Sequence, residues 1–153
     1  MSTDAKILIT GATGVFGSKL VEALLENDYK LICIKRSTSD MTRVKGFYKK
    51  CDWVDIDIDS NLKDIFEENN IEGVIHTATM YGKTGNEYFN VYDANLILPF
   101  ELLKLSKEFN IKYFMSTGSF FDKELSNAKN EQEKVYMDTY VRSKHTFEQI
   151  AQN

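Results

Sequence analysis

The chain reads ILITGATGVFG over residues 7–17, where an apolar run passes directly into three glycines spaced three residues apart. A short apolar strand, a glycine turn and the start of a helix, in this order, form the first unit of a dinucleotide-binding fold. Gly11 permits the tight turn, Gly14 lets the backbone approach a pyrophosphate, and Gly17 lets the helix pack closely on the strand. Because the spacing is GxxGxxG rather than GxGxxG, a glycine-rich turn in an ordinary α/β protein is the alternative interpretation.

The rest of the chain alternates short apolar runs with longer segments of helical period, which is typical of βαβ units around a parallel sheet. Strands are predicted over residues 6–10, 31–35, 53–55, 74–77 and 113–116. Helices are predicted over residues 15–26, around 62–66, over 88–109 and from about 137. We therefore predict an α/β protein with a Rossmann-like doubly wound parallel sheet, in which residues 1–153 form one NAD(P)-binding domain.

The sequence also predicts three details of the helices. The first helix is expected to bury a stripe made of Phe16, Leu20, Val21, Leu24 and Leu25. The long third helix contains Pro99, which predicts a local kink while the apolar face continues. The polar stretch over residues 127–134 is predicted to be a mobile surface loop ahead of the last helix.

Size and charge limit the classes of protein to which the chain can belong. Its 153 residues suffice for one domain with a core, and 19 basic against 23 acidic side chains give a net charge of −4. Such a surface offers no broad positive field to nucleic acid or to an anionic membrane. Since neither a signal peptide nor a spanning apolar run is visible, a cytoplasmic protein is expected. Cys33 and Cys51 lack CxxC spacing and are interpreted as reduced packing residues, with no metal site.

A second motif, YVRSK, places Tyr140 four residues before Lys144 in the last predicted helix, so both side chains lie on one helix face. The phenol of a tyrosine has a pKa of roughly 10, and an ammonium group one turn away favours its phenolate. Tyr140 could then pass a proton to or from a substrate oxygen. Alone, this spacing is more often an ordinary helix pair, but the upstream glycine motif favours the catalytic interpretation. A lone histidine such as His76 at a strand end is expected to be structural.

The end of the second predicted strand indicates the cofactor. Enzymes that use NAD usually place a carboxylate there to accept the ribose hydroxyls, whereas this chain has Lys35 and Arg36. A guanidinium suits a 2′-phosphate because it donates bidentate hydrogen bonds. Arg36 is therefore predicted to bind the 2′-phosphate of NADP, and two merely solvated cations are the alternative. NADP in turn favours a net reductase over an epimerase that retains NAD.

Three segments, ITGATGVFGSKLVEALL, DIDIDSNLKDIFEENNIEGVIHTAT and YVRSK, in this order resemble the extended short-chain dehydrogenase/reductase family of epimerase/dehydratase-like enzymes. The resemblance covers nearly the whole chain. In that family an Asp-Ile pair after the third strand contacts the adenine ring, which implies Asp55 and Ile56, with Asp57 and Ile58 as the alternative register. The cofactor-binding residues that the resemblance implies are Gly11, Thr13, Gly14, Val15, Phe16, Gly17, Arg36, Asp55, Ile56, Thr77, Ala78, Thr79, Asn95, Tyr140 and Lys144.

The same resemblance implies a catalytic set of Thr117, Tyr140 and Lys144. The register of residues 116–122 on the family's S-[ST]-x-x-V-Y-G segment selects Thr117, with Ser116 and Ser119 as competing choices, because the Val-Tyr-Gly ending is replaced here. The hydroxyl of Thr117 would polarise the reacting oxygen, and Lys144 would also hold the nicotinamide ribose. Sugar 4,6-dehydratases carry an acidic pair after the threonine, and this chain has Gly118 and Ser119 there, so elimination is not expected.

The loop over residues 76–82, followed by Asn86 and Glu87, resembles that of nucleotide-sugar 4-ketoreductases of the CDP-abequose and CDP-paratose synthase type. This predicts an NADP-dependent oxidoreductase that reduces the 4-keto group of a nucleotide-linked deoxysugar, with Tyr140 as general acid. An NAD-dependent nucleotide-sugar epimerase and a non-catalytic NADP-binding sensor or scaffold are the alternatives.

Full members of the family are longer, so we expect the C-terminal substrate-binding region to be absent here, and activity of this chain by itself stays open. The fifth strand would then be a sheet edge. The family resemblance also implies a homodimer through two long helices, over residues 88–109 and 137–152.

Overall fold

The computed structural model describes residues 4–57, 61–82, 88–119 and 131–152. The strands are β1 (Lys6–Thr10), β2 (Lys30–Lys35), β3 (Asp52–Asp55), β4 (Ile71–His76) and β5 (Tyr113–Ser116). The α-helices are α1 (Val15–Glu26), α2 (Leu62–Glu68), α3 (Tyr88–Tyr92), α4 (Leu98–Glu108) and α5 (Glu131–Ala151). Two 3₁₀ turns span Thr42–Val44 and Tyr48–Lys50, and a π-helical turn spans Asp93–Ile97. Within these ranges, every helix is too short or too polar to cross a membrane.

The chain divides into two compact units. Residues Met1–Ala78 and Lys104–Ser116 form the sheet unit, which contains all five strands together with α1 and α2. Residues Thr79–Leu103 and Thr117–Asn153 form the helical unit, which contains α3, the π-helical turn and α5. Helix α4 begins in the helical unit and ends in the sheet unit.

The sheet has the strand order β3-β2-β1-β4-β5, and each neighbouring pair is parallel. The chain runs outward from β1 to β3 on one side and then continues with β4 and β5 on the other side of β1. The order therefore reverses between β1 and β4, which is the point where open α/β sheets bind ligands at the carboxyl ends of their strands. This topology confirms the predicted Rossmann-like doubly wound sheet.

Burial follows position in the sheet. The side chains of Leu8 and Ile9 in β1 and of residues 31–34 in β2 are buried, as the near-continuous apolar sequence of inner parallel strands requires. Strand β5 lies at an edge, as predicted, and Tyr113 is 64% exposed there, with Met115 exposed beside it on the same sheet face.

The core of the sheet unit contains the two cysteines. Cys33 is buried with Ile9, Val21 and Leu31, and Cys51 packs against this cluster. Both thiols are free. Their contact through a hydrogen bond, together with burial, raises the pKa of Cys33. The interpretation of both cysteines as packing residues is confirmed, and their reduced state stays a prediction.

Most predicted boundaries hold, but those of β4 and α5 do not. Strand β4 begins at Ile71 rather than at residue 74 and ends at His76, so Thr77 lies beyond the strand. Helix α5 begins at Glu131, six residues before the expected start, so residues 131–134 are helical and not part of a loop. The remainder of the predicted loop, residues 127–130, lies outside the described residues. The first turn of α5 is polar and has no apolar stripe. It is helical because apolar side chains further along α5 are buried and stabilise the whole helix.

Two expectations about the helices are also corrected. Phe16 is 61% exposed and does not belong to the buried stripe of α1, in which Val21 is fully buried. The long third helix is interrupted by the π-helical turn Asp93–Ile97, which ends two residues before Pro99. The N–H of Leu98 donates to the carbonyl oxygen of Asp93, and Pro99 has no N–H to donate, so the change in helical hydrogen bonding lies directly before the proline.

We predict that Gly17→Ala destabilises the protein by about 3 kcal/mol, which lowers Tm by roughly 10 °C. A Cβ at this position would lie 2.1 Å from the carbonyl oxygen of Gly11, which is backbone and cannot rotate away. Thermal unfolding followed by circular dichroism measures the effect. The matched control is Gly46→Ala, because no described atom lies within 4 Å of the position of its Cβ. Equal melting temperatures for the two variants would contradict the prediction.

Candidate functional site

The glycine turn is built by close backbone contacts. Gly11 has φ +73°, and a Cβ there would lie 2.5 Å from the backbone nitrogen of Ala78. The N–H of Gly14 donates to the carbonyl oxygen of Gly11 at 3.0 Å and closes the turn. Both Gly11 and Gly17 therefore have to be glycine, as the motif predicts, and Ala78 lies directly against the turn.

The N-terminus of α1 is open toward solvent. Gly14 is its N-cap residue, and among the described residues no side chain caps it. Val15 and Phe16 in the first turn are exposed, and Thr13 before them is half-buried. The first N–H groups of this 12-residue helix and the positive end of its dipole can therefore meet an anion. Together with the crowded glycine turn, this end of the helix fits a dinucleotide pyrophosphate. The deciding observation is that a Cβ at Gly11 or Gly17 would clash with backbone atoms, so only glycine forms this turn.

Thr10 at the end of β1 holds the segment that follows β4. The carbonyl oxygen of Thr10 accepts hydrogen bonds from the N–H and the hydroxyl of Thr77, at 3.2 and 2.7 Å, and the N–H of Ala78 donates to its hydroxyl at 3.4 Å. The same hydroxyl shares a 2.8 Å hydrogen bond with Nδ1 of buried His76. This confirms the structural interpretation of His76. Thr79, the next predicted cofactor-binding residue along the chain, is half-buried and belongs to the helical unit.

At the end of β2, Arg36, which is predicted to bind a 2′-phosphate, is accessible to solvent. Arg36 is exposed, its N–H donates to Oγ of Ser39 at 3.1 Å, and no ion pair of its guanidinium occurs within the described ranges. The preceding Lys35 forms an ion pair with Asp55. Arg36 is therefore the side chain of this pair of cations that can reach for an external anion.

The end of β3 and the turn after it contain the residues that are predicted to contact adenine, either Asp55 and Ile56 or Asp57 and Ile58. The N–H of Ile56 donates to the carbonyl oxygen of Lys35 at 3.0 Å, so the end of β3 is fixed to the end of β2. Asp55 is engaged with Lys35, and Asp57 accepts hydrogen bonds from Ser37. The choice between the registers stays a prediction, because Ile58 lies outside the described residues.

All three predicted catalytic residues lie in the helical unit. Tyr140 and Lys144 are buried one turn apart on α5, and Nζ of Lys144 donates to the main-chain carbonyl oxygen of Thr117 at 3.1 Å. The ring of Tyr140 packs against that of Tyr81, with centroids 5.0 Å apart. Lys144 thus anchors the segment after β5 to the helix that carries Tyr140.

Burial changes the acidity of Lys144, whose residue is only 2% exposed. Desolvation lowers the pKa of Lys144 to about 8, and the nearby carboxylate of Glu148 opposes this shift. Gly118 makes room for that carboxylate, because a Cβ on Gly118 would lie 2.7 Å from Oε1 of Glu148. The ammonium form therefore predominates at pH 7 and is half-populated near pH 8.

Asn95 lies in the π-helical turn, and its buried amide bridges two segments of the helical unit. Its Oδ1 accepts from the N–H of Met80 at 2.9 Å, and its Nδ2 donates to the carbonyl oxygen of Met80 at 2.8 Å and to Oγ of Ser143 at 3.2 Å. Ser143 in turn donates to the carbonyl oxygen of Tyr140 at 2.7 Å. Asn95 therefore positions backbone near Tyr140, and a direct contact with a cofactor stays a prediction. Such π-helical turns are frequent at functional sites.

Sequence reasoning missed several residues that this site uses. Ser143 and Glu148 follow Tyr140 and Lys144 at helical spacing, so their position on the same helix region was available from the sequence. Thr10 carried no signal beyond its place at the end of an apolar run. No group of three metal-binding side chains occurs in the described part of the chain.

Comparison with known proteins gives the family. The model of the NAD dependent epimerase/dehydratase family matches residues 7–153. The chain belongs to this family. It is 31% identical to CDP-abequose synthase of Salmonella muenchen over 152 residues, which are 99% of this chain and 48% of that protein.

Solved structures of two epimerases have a similar fold. The UDP-glucose 4-epimerase of Bifidobacterium longum, in complex with NAD⁺ and UDP, superposes with a TM-score of 0.70 at 26% identity and covers 96% of this chain and 48% of its own. The UDP-glucose 4-epimerase of Thermotoga maritima, with UDP-glucose, gives a TM-score of 0.74 at 21% identity over 96% and 50% of the two chains. The chain thus spans about half the length of each of these three proteins.

The low pKa of Lys144 predicts a pH-dependent stability. Since its pKa is about 8 in the folded protein and 10.5 ordinarily, the unfolded chain binds more protons between these values, and the free energy of unfolding rises with pH across that window. Below pH 8 the charged Lys144 costs roughly 3 kcal/mol. Lys144→Met should therefore stabilise the protein at pH 7 by about 2 kcal/mol, after loss of the hydrogen bond to Thr117. The advantage should vanish by pH 10.5.

Urea denaturation at pH 7 and at pH 10.5 measures this difference. The matched control is Lys104→Met, since Lys104 is exposed on α4 and its replacement should have a small effect that is equal at both pH values. A Lys144→Met protein less stable than the parent at pH 7 would show that the charged form is not destabilising.

Proposed function

We propose that this chain is the cofactor-binding and proton-donating part of an NADP-dependent oxidoreductase that reduces the 4-keto group of a nucleotide-linked deoxysugar. The observation that carries the proposal is the grouping of Thr117, Tyr140 and Lys144 in the helical unit, with Nζ of Lys144 on the Thr117 carbonyl oxygen. This arrangement occurs in a chain of the NAD dependent epimerase/dehydratase family, and it supplies a proton donor with a cation one turn away.

Residues of the sheet unit would hold the cofactor. The open N-terminus of α1 and the glycine turn suit the pyrophosphate, and the exposed Arg36 suits a 2′-phosphate. Asp55 or Asp57 and the segment of Thr77 and Ala78 are the further ligands that the family pattern implies. When bound, NADPH supplies the hydride for reduction of a carbonyl carbon.

Residues of the protein would donate the proton that the reduction needs. Reduction of a ketone to an alcohol adds a hydride to carbon and a proton to oxygen, and the hydroxyl of Tyr140 would donate that proton. The ammonium of Lys144 stabilises the phenolate that is left, since opposite charges one helical turn apart attract. The hydroxyl of Thr117 would donate a hydrogen bond to the reacting oxygen and so polarise it. Lys144 stays in place because its ammonium is already bonded to the Thr117 backbone.

The substrate class rests on the similarity to CDP-abequose synthase, which extends over 99% of this chain, and on the loop over residues 76–82. Similarity to UDP-glucose 4-epimerases favours the second candidate, an NAD-dependent nucleotide-sugar epimerase. A non-catalytic NADP sensor is disfavoured, because it would have no need for Thr117, Tyr140 and Lys144 together. Because the chain spans about half of its relatives, the reaction is proposed for the whole enzyme.

The choice of NADP over NAD depends on Arg36. We predict that this chain binds NADPH at least about tenfold more tightly than NADH, and that Arg36→Ala abolishes the difference, because a guanidinium–phosphate pair contributes a charge-assisted bidentate contact. Titration of each nucleotide with detection of Trp53 fluorescence measures both affinities. Arg142→Ala is the control, since Arg142 lies on α5 and is paired with Asp138. Equal or tighter binding of NADH by the parent protein would reject NADP and favour the epimerase.

The reaction itself is tested by oxidation of NADPH in the presence of a CDP-linked 4-keto-6-deoxysugar, followed at the absorbance of the reduced cofactor. The parent sequence within a full-length enzyme should consume NADPH, and Tyr140→Phe should still bind NADPH but lose turnover. Tyr29→Phe, on an exposed tyrosine of the sheet unit, is the control. Unchanged turnover of Tyr140→Phe would exclude Tyr140 as the general acid.

The helical unit carries exposed apolar side chains that suit the proposed homodimer. Ile97 in the π-helical turn is 46% exposed, Phe100 on α4 and Tyr92 on α3 are exposed nearby in sequence, and Val135 and Ile150 are exposed on α5. Burial of such side chains in a helix–helix interface removes apolar surface from water. Both helices that the family resemblance implies for a dimer thus present apolar groups.

We predict that the protein is a dimer at micromolar concentration and that Ile97→Asp makes it monomeric, because a charge would be buried without a partner in the interface. Multi-angle light scattering measures the mass. Val15→Asp is the control, since Val15 is an exposed apolar residue of α1 in the sheet unit. A monomeric parent protein would contradict the dimer.

A further inference from the structure

Ser37 holds a carboxylate with two hydrogen bonds next to the predicted 2′-phosphate ligand. Its N–H donates to Oδ1 of Asp57 at 2.8 Å, and its hydroxyl donates to Oδ2 of Asp57 at 2.8 Å. Ser37 follows Arg36 directly after β2, and Asp57 lies two residues after the end of β3. The carboxylate of Asp57 therefore accepts both hydrogen bonds at the carboxyl edge of the sheet.

The carboxylate at this position is ionised at neutral pH. The hydrogen bonds from the N–H and hydroxyl of Ser37 lower the pKa of Asp57, and the charge of Lys35 acts in the same direction. Asp57 and Ser37 are both exposed, so an external anion can reach the donors. Their contact is a surface contact that a ligand could replace.

The donors that face Asp57 are those that a phosphate group needs. A backbone N–H and a hydroxyl donate hydrogen bonds to phosphate oxygens, and the neighbouring Arg36 adds a guanidinium that is not engaged by an ion pair in the described ranges. Ser37 cannot donate the same hydrogens to a carboxylate and to a phosphate at once, and two anions at one site repel each other.

We propose that Asp57 is a specificity-determining residue that competes with the 2′-phosphate of the cofactor for Ser37 and so weakens the preference for NADP over NAD. The proposal rests on the proposed NADP-binding function. Arg36 attracts the 2′-phosphate, whereas Asp57 occupies the adjoining donors and repels it. The ratio of the two cofactor affinities is set by both residues, and removal of the Asp57 charge raises it.

The test compares the binding of 2′,5′-ADP and 5′-AMP, which differ by one phosphate on the ribose 2′ oxygen. Isothermal titration calorimetry gives both affinities for the parent chain, Asp57→Asn and Asp40→Asn. Asp40 is the matched control because its carboxylate also accepts from a backbone N–H and a hydroxyl, those of Thr42 at 2.9 and 2.6 Å, and lies three residues beyond Ser37. Both substitutions remove one exposed negative charge, and only Asp57→Asn weakens the hold on Ser37, because an amide offers one acceptor oxygen where the carboxylate offers two.

We expect Asp57→Asn to bind 2′,5′-ADP roughly fivefold more tightly than the parent does, as for one exposed charge pair, and to bind 5′-AMP equally. Asp40→Asn should leave both affinities within about twofold. An equal gain in the two variants would reduce the effect to net charge and overturn the proposal. Weaker binding of 5′-AMP by Asp57→Asn would overturn it too, because Asp57 would then serve the ribose hydroxyls.

The same data separate this proposal from the proposed function. If the parent binds 5′-AMP and 2′,5′-ADP but the ratio is unchanged in Asp57→Asn, only the role of Asp57 is rejected. If all three proteins bind neither nucleotide, the dinucleotide site itself is rejected, and the role of Asp57 with it.

Discussion

The contact between the glycine turn and the backbone after β4 is the constraint on which the cofactor side of this protein depends. Gly11 and Gly17 leave no room for a Cβ against Ala78 and against the turn itself, so α1 begins directly over the switch point between β1 and β4. Thr10 then fixes the following segment through Thr77. Backbone groups thereby form an open, crowded turn of the kind that suits a phosphate, which is the role that the proposed function gives to it.

Much of the fold follows from local signals in the sequence. Helix α1 has its predicted bounds, because a glycine N-cap and a strong apolar period mark its start and its length. Strands β1 and β5 are also as predicted. The start of α5 was missed because a polar first turn carries no period. The π-helical turn was missed because Pro99 is the visible disturbance, whereas the backbone change lies before it and is stabilised by the tertiary contacts of Asn95.

The candidate site divides in the same way. Tyr140 and Lys144 were found from helical spacing, and their burial one turn apart on α5 agrees with that pattern. The partner of Lys144 is a main-chain oxygen of Thr117, and the carboxylate held by Ser37 comes from the turn after β3, 20 residues further along the chain. Such contacts depend on which segments the sheet and the helices bring together, so composition and periodicity carry no trace of them.

The burial of Lys144 also bears on how this chain evolves. A cation kept away from water at neutral pH makes the native state less favourable than an apolar side chain of similar length would. Substitution of Lys144 by methionine or leucine is expected to raise the free energy of unfolding, so selection for stability alone would favour such substitutions. Folding stability by itself therefore does not account for a buried lysine at position 144. Wherever the proposed proton transfer is not needed, this residue is expected to change to methionine or leucine.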